Sequence, residues 1–311
     1  MNIITIVLYE LRIMLRNRVN LILLLVMPVA MIALMGYAMK PFLNAEAKGP
    51  DKFPVSYADS SKDAIARSFD ASIASVAGEY GISEKELEVV RTGLEKTASN
   101  NFVNVNEVKK PEVRTLDSFQ FFGAGMLIFF LLTCGMGLGI NIINERADRV
   151  FFRIVSFPVT HNQYLAGKAI GNALIGFFQA ASVILFTSLV FKVDWGNNYP
   201  GLFLVIAELM LIASGIAVIF SNLLNSSKTL STLLTVLFWM MAFISGSFAP
   251  LPIFEPIAGY TINKWAFEAF TGFMTGQGIM NVLNYLILLL LTGLVFWAAG
   301  VMLYKRRVSN E

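Results

Sequence analysis

Residues 118–143 decide the fold, and they read SFQFFGAGMLIFFLLTCGMGLGINII. This stretch contains no charged side chain. A helix needs roughly 20 mostly apolar residues to cross the hydrocarbon core of a bilayer. The stretch therefore predicts a membrane-spanning helix.

Five further segments meet the same criterion. They are residues 19–39, 169–191, 201–220, 229–248 and 282–304. Pro28 interrupts the first of them, which neighbouring helices can tolerate by satisfying the freed carbonyl group. The sequence predicts an all-α polytopic membrane protein with six transmembrane helices.

The charged residues are concentrated in one segment. The chain has 311 residues, of which 14% are charged, and 24 of the 45 charged residues lie in residues 40–117. This distribution excludes an ordinary soluble domain, a disordered chain and a nucleic-acid-binding protein. A single cysteine, Cys134, excludes a disulfide within the chain, and a single histidine makes a metal site unexpected.

The charged segment, residues 40–117, follows the first predicted span. Its patterning predicts a small α/β domain, with strands near 53–57 and 101–108 and helices near 60–76 and 82–97. A substrate gate or ligand sensor and a simple solubilising cap are both compatible with this pattern.

Basic residues predict the orientation in the membrane. Eleven Lys and Arg residues lie on the side that holds the N-terminus, whereas the short loops of the other side contain only Lys192 and Lys264. Basic loops stay in the cytoplasm. We therefore expect both termini inside and residues 40–117 outside.

Residues 1–18 have an apolar stripe at helical spacing, with Glu10, Arg12 and Arg16 off the stripe. The pattern favours a helix lying on the cytoplasmic membrane surface over a frayed start of the first span.

Residues 249–281 are rich in Pro, Gly and aromatic residues. They are predicted to form a re-entrant segment, the alternative being a plain extracellular loop.

One ionisable residue, Glu208, lies in the middle of a predicted span. Glu208 is costly in the membrane unless it is neutral or faces other helices, and Gln179 is a candidate hydrogen-bond partner. A proton or substrate site and a neutral carboxyl that joins helices are the two interpretations. The pairs Gly135/Gly139 and Gly167/Gly171 suit close helix packing, either within one chain or between two.

The cytoplasmic loop 144–168 begins with an amphipathic segment. A helix in this segment is expected to end before Pro158, because the residue before a proline disfavours helical conformation. It could face anionic lipid or dock on a partner. Its Glu145-Arg146, Arg153-Ile154 and Pro158-Val159-Thr160, followed by Tyr164-Leu-Ala-Gly-Lys168, resemble the corresponding region of ABC-2 type permeases. The large first insert resembles the drug- and antibiotic-exporting branch of this family.

The resemblance implies a transport subunit without enzymatic activity or cofactor of its own. ATP and Mg would bind a separate ABC-type ATP-binding subunit, and a second permease, identical or paralogous, would complete the exporter. The membrane lipid is the remaining partner, and no nucleic acid is involved. The chain accordingly has no G-x-x-x-x-G-K-[ST] motif.

The resemblance also implies roles for particular residues. The residues that would couple this chain to the ATPase are Glu145, Arg146, Asp148, Arg149, Arg153 and Pro158. A cavity for a hydrophobic or amphiphilic substrate is lined by the second and fifth spans, with Thr133, Asn141, Thr235 and Ser245. A proton-coupled secondary transporter that uses Glu208 and a membrane sensor with an extracellular ligand-binding insert are the alternatives.

Overall fold

A computed structural model describes residues 3–16, 18–47, 116–148, 160–248 and 252–310. All regular elements in these ranges are helices. In chain order they are α1 (Ile3–Arg16), α2 (Arg18–Ala47), α3 (Ser118–Ala147), α4 (His161–Val190), α5 (Tyr199–Leu223), α6 (Ser227–Ile244), a 3-10 turn (Pro252–Phe254), α7 (Glu255–Ala258), α8 (Ile262–Met274) and α9 (Ile279–Asn310).

The chain divides into two units. One comprises Met1–Pro41 and Leu116–Glu311, and the other comprises Phe42–Thr115. The predicted α/β insert falls almost wholly in the second unit. Its predicted strands and helices lie outside the described residues and stay a prediction.

Five of the helices, α3, α4, α5, α6 and α9, are long and apolar enough to cross a membrane. Helix α2 corresponds to the first predicted span, and within it Leu24–Ala38 forms an apolar helical stretch shorter than a full span. The chain is therefore a helical multi-pass membrane protein, and the first of the six predicted spans remains a prediction.

Side-chain caps fix where the long helices begin. Asp117 caps α3, and its backbone N–H donates to the side chain of Gln120 at 2.9 Å. Thr160 caps α4 in the same way with Gln163. Because this capping box satisfies the N–H groups of the first turn, α4 starts at His161, before the predicted membrane boundary at 169.

Small residues allow α5 to pack in the centre of the described bundle. A Cβ atom at Gly135 of α3 would collide with Ala213 of α5, and one at Gly139 would lie 3.0 Å from the carbonyl oxygen of Ala217. The Gly135/Gly139 pair therefore packs α3 on α5 within one chain. On the other side, a Cβ at Gly215 would lie 2.8 Å from Cβ of Phe296 in α9.

The segment before α9 is broken into short helices. Helix α8 has 13 residues and is about 20 Å long, which is too short to cross a membrane. Most of its side chains are buried, and Phe267 contacts Phe121 of α3 with ring centroids 4.9 Å apart. This arrangement suits the predicted re-entrant segment.

Candidate functional site

A buried ionic cluster lies where α1 meets the end of α3 and the start of α4. It consists of Glu10, Asn141, Glu145, Tyr164 and Lys168. The Nζ atom of Lys168 forms ion pairs with the carboxylate of Glu10 and, at 2.7 Å, with Oε1 of Glu145. The three charged side chains are 1%, 5% and 9% exposed, for Lys168, Glu10 and Glu145 respectively.

Hydrogen bonds complete the ionic cluster. The Tyr164 hydroxyl donates to Oε2 of Glu145 at 2.5 Å, and Nδ2 of Asn141 donates to Oε2 of Glu10 at 3.2 Å. The Lys168 ammonium also lies 5.4 Å from the centre of the Tyr164 ring. Two carboxylates share one ammonium, so these neutral donors supply contacts that a buried anion requires. The ionic cluster joins α1, α3 and α4.

Two glycines bring α1 close enough to α4 for the ionic cluster to form. A Cβ at Gly167 would lie 2.9 Å from Cβ of Ile6, and a Cβ at Gly171 would lie 2.8 Å from Cβ of Glu10. Ile6 and Glu10 are one helical turn apart, as are the two glycines. The Gly167/Gly171 pair therefore packs α1 on α4 within one chain.

Glu10 and Lys168 are functional candidates that the sequence did not single out. Glu10 was predicted to lie off the apolar stripe of its helix, and it is buried beside Ile6. Ile4 and Leu8, which belong to the predicted apolar stripe, are 69% and 60% exposed. The sequence feature that could have indicated this site is Lys168. It is a cation at the start of a predicted span, and a cation in that position needs an acidic partner.

A second set of contacts, the arginine network, lies beside the ionic cluster and joins α3, α5 and α9. Arg146 donates to the carbonyl oxygen of Ser221 at 3.1 Å and to Oδ1 of Asn222 at 2.6 Å. Arg307 donates to the carbonyl oxygen of Asn222 at 2.5 Å. The ring of Tyr304 lies 5.3 Å from the Arg146 guanidinium.

The arginine network is connected to the ionic cluster through stacked rings. The rings of Tyr304 and Tyr164 are nearly parallel, with centroids 6.1 Å apart. Glu145 and Arg146 are adjacent in sequence, so the end of α3 contributes to both sets. One end of the bundle therefore holds α1, α3, α4, α5 and α9 together by buried polar contacts.

The predicted coupling residues divide into three groups. Glu145 is buried and Arg146 half-buried, and both contact other helices of the same chain. Asp148 is exposed and caps the C-terminus of α3. The remaining predicted coupling residues, Arg149, Arg153 and Pro158, lie outside the described residues.

The four predicted cavity residues occupy separate places. Thr133 donates to the carbonyl oxygen of Phe129 at 2.8 Å, and Asn141 belongs to the ionic cluster. Thr235 of α6 lies 3.8 Å from the Met136 sulfur of α3, and Ser245 is buried at the end of α6. Cavities described in the structure lie elsewhere, between α4 and α5 and along the face of α6 that carries Lys228 and Val236.

Glu208 and Gln179 do not pair with each other in the described structure. Gln179 donates to the carbonyl oxygen of Leu24 at 3.0 Å and so joins α4 to α2. Glu208 is 4% exposed, and its Oε2 has no hydrogen-bond partner among the described residues. It lies on the face of α5 that packs on α9, because Leu211 and Ile212, one turn further, contact the position of Gly293.

The described residues contain no group of His, Cys, Asp and Glu side chains that could hold a metal ion. The ionic cluster and the arginine network join helices at one end of the described bundle, and Glu208 is an isolated carboxyl in the middle of α5.

Comparisons with known proteins agree with this architecture. Residues 73–302 match the family described as ABC-2 family transporter protein. The chain is also similar to the linearmycin resistance permease protein LnrN of Bacillus subtilis (strain 168), with 24% identity over 184 residues. The aligned part is 57% of this chain and 47% of the relative, so it spans about half of the relative's length.

Proposed function

This chain belongs to the ABC-2 family of transporter proteins, and we propose that it is the permease subunit of an ABC exporter. Its substrate would be a hydrophobic or amphiphilic compound moved out of the cell, and ATP hydrolysis in separate ATP-binding subunits would drive the transport. The name of the B. subtilis relative, a resistance permease, supports an antibiotic-like substrate.

The observation that carries this proposal is the ionic cluster. It lies where α3 ends and α4 begins, on either side of residues 149–159, the loop that would meet the ATP-binding subunit. Lys168 contacts α1 and α3 simultaneously. A force on this loop would therefore reach three helices through packed, charged contacts, which are a physical basis for coupling between sites.

The distribution of basic residues supports the proposed orientation. Arg146, Lys168 and Arg307 all lie at the end of the bundle that holds the ionic cluster. Basic residues near helix ends favour the cytoplasmic side. We propose that both termini are cytoplasmic and that residues 40–117 lie outside, in the plasma membrane of a bacterium.

We propose that a second permease, identical or paralogous, completes the transporter. Helix α6 leaves a row of apolar side chains uncovered, with Val236 54%, Met240 57% and Phe243 42% exposed. Thr133, Asn141, Thr235 and Ser245 would contribute polarity near a path between the two permeases.

The test is transport by the purified complex. The tagged chain, isolated from its native membrane, is expected to retain an ATP-binding subunit. In proteoliposomes, the complex is expected to move a fluorescent amphiphile such as rhodamine 6G only with ATP and Mg. An Arg153→Glu variant is expected to lower substrate-stimulated ATP hydrolysis, whereas Lys305→Glu, an exposed basic control, is expected to leave it unchanged.

Transport driven by a pH gradient without ATP would contradict the proposal. If Glu208→Gln abolished such transport, the chain would instead be a proton-coupled carrier. Ligand binding by residues 40–117 without transport would indicate a sensor.

A further inference from the structure

A groove lies between α4 and α5 at the end of the bundle opposite the ionic cluster. Its volume is about 590 Å³. Its α4 wall is one helical face from Phe177 to Ser188, and its α5 wall runs from Tyr199 to Ile206. Residues 193–197, which connect the two helices, form its mouth.

The length of the groove along α4 is close to the thickness of the hydrocarbon layer of one membrane leaflet. The α4 wall is about 16 Å long at 1.5 Å per residue, and half of the hydrocarbon core is about 15 Å thick. The rings of Phe177 and Phe203, which line the groove on α4 and α5, stack with centroids 4.4 Å apart. Ala181 leaves room in the middle of the wall, where it is exposed.

The mouth of the groove is held in place by contacts with its α4 wall and with two other helices, α3 and α8. The indole N–H of Trp195 donates to Oγ1 of Thr187 in α4 at 3.0 Å, and Trp195 is 3% exposed. Gln120 of α3 donates to the carbonyl oxygen of Asp194 at 2.9 Å. Gly196, with φ 77°, packs so tightly on the carbonyl oxygen of Phe273 in α8 that a Cβ would collide. The site is therefore preformed.

The polar chemistry of the mouth is specific. Asp194 is the one residue lining the groove that is charged at neutral pH, and its side chain is exposed. The backbone N–H of Gly196 donates to its Oδ1 at 2.9 Å and orients the carboxylate. Lys192, two residues earlier on the same connection, is also exposed. A carboxylate thus lies at the mouth of a slot whose walls are otherwise mostly apolar, and an exposed ammonium group precedes it by two residues in the sequence.

We propose that this groove binds one phospholipid with a primary-amine headgroup, of the phosphatidylethanolamine type. The ammonium group would bind Asp194, the phosphate would lie beside Lys192, and one acyl chain would fill the slot down to Phe177. A primary ammonium donates hydrogen bonds to a carboxylate, which a quaternary ammonium cannot do. The binding does not depend on ATP or on any partner subunit.

Native mass spectrometry of the purified full chain tests the proposal. The protein is mixed with equal amounts of phosphatidylethanolamine, phosphatidylcholine and phosphatidylglycerol that carry identical acyl chains. We expect retention of one phosphatidylethanolamine, favoured about tenfold over phosphatidylglycerol, since a charge-assisted hydrogen bond contributes about that factor.

Two variants test separately the contact with the lipid headgroup and the binding of the acyl chain in the slot. Asp194→Asn is expected to remove the headgroup preference, and Ala181→Trp, which fills the slot, is expected to remove retention altogether. The matched controls are Asp148→Asn, an exposed acid at the opposite end, and Leu189→Trp, on α4 but outside the groove and 72% exposed.

Two results would overturn the proposal. One is equal retention of the three lipids by the wild-type protein, and the other is unchanged phosphatidylethanolamine retention in Ala181→Trp. Thermal melting shows whether each variant is folded. Should Ala181→Trp fail to fold, Ser188→Phe fills the same slot nearer its mouth and serves the same purpose.

Discussion

Replacing Lys168 by methionine is the sharpest test of the ionic cluster. Methionine matches the length of the lysine stem but removes the ammonium group, so that Glu10 and Glu145 stay buried without their shared cation. Lys168 is 1% exposed, and the two carboxylates are 5% and 9% exposed. Water therefore cannot replace the lost partner.

The magnitude follows from burial. Removing one partner of a buried ion pair costs about 3–5 kcal/mol because the remaining charge is uncompensated. For a chain of this size such a loss lowers the melting temperature by roughly 10 °C. The pair of Lys264 and Glu268 is the matched control, with an N–O distance of 2.8 Å and side chains 34% and 35% exposed. Lys264→Met is expected to cost about 0–1 kcal/mol.

The assay is thermal unfolding of the purified protein in one detergent, followed by tryptophan fluorescence. A triple variant, Glu10→Gln, Glu145→Gln and Lys168→Met, neutralises the whole ionic cluster and is expected to recover most of the lost stability, because neutral replacement of buried charges is often tolerated. Equal melting temperatures for Lys168→Met and Lys264→Met would refute the reasoning. A triple variant no more stable than Lys168→Met would do the same.

Three further substitutions test other parts of the bundle, the first two by the same melting assay and the third by assembly and transport. Gly171→Ala is expected to lower stability by about 1–3 kcal/mol, because the new Cβ meets Glu10, whereas Gly137→Ala enters open space and is expected to be neutral; similar losses in both would contradict the packing of α1 on α4. Arg146→Lys is expected to cost about 1–2 kcal/mol, since lysine lacks the fork that reaches both Ser221 and Asn222; an unchanged melting temperature would argue against the arginine network. Glu208→Gln is expected to preserve assembly and transport, as a neutral carboxyl that joins helices predicts, and loss of transport with normal assembly would show a functional carboxylate.

The long apolar segments could be predicted from the sequence because hydrophobicity over 20 residues is a local property. The second to sixth predicted spans all fall on helices that can cross a membrane. The break before α9 was also predictable, since Pro250, Pro252 and Pro256 prevent one continuous helix. Helix starts were harder to predict, because Thr160 and Gln163 extend α4 beyond its apolar part.

The ionic cluster could not be predicted from the sequence because its members come from three distant segments. Nothing near Glu10 in the sequence indicates that its partner is Lys168. The same limit applies to the hydrogen bond that Asn141, assigned to a substrate cavity by the family resemblance, donates to Glu10. Helical periodicity shows which side chains share one face of a helix. It does not show which other helix that face contacts, because this depends on tertiary packing.

The ionic pair of Glu10 and Lys168 also has a consequence for how the protein is made. The two residues are 158 positions apart in the chain. At a synthesis rate of about 5–20 residues per second, Glu10 leaves the ribosome roughly 8–30 s before its cation exists. During that interval Glu10 has no Lys168 to pair with, and a nascent chain that ends before Lys168 cannot form the ion pair that joins α1 to α4.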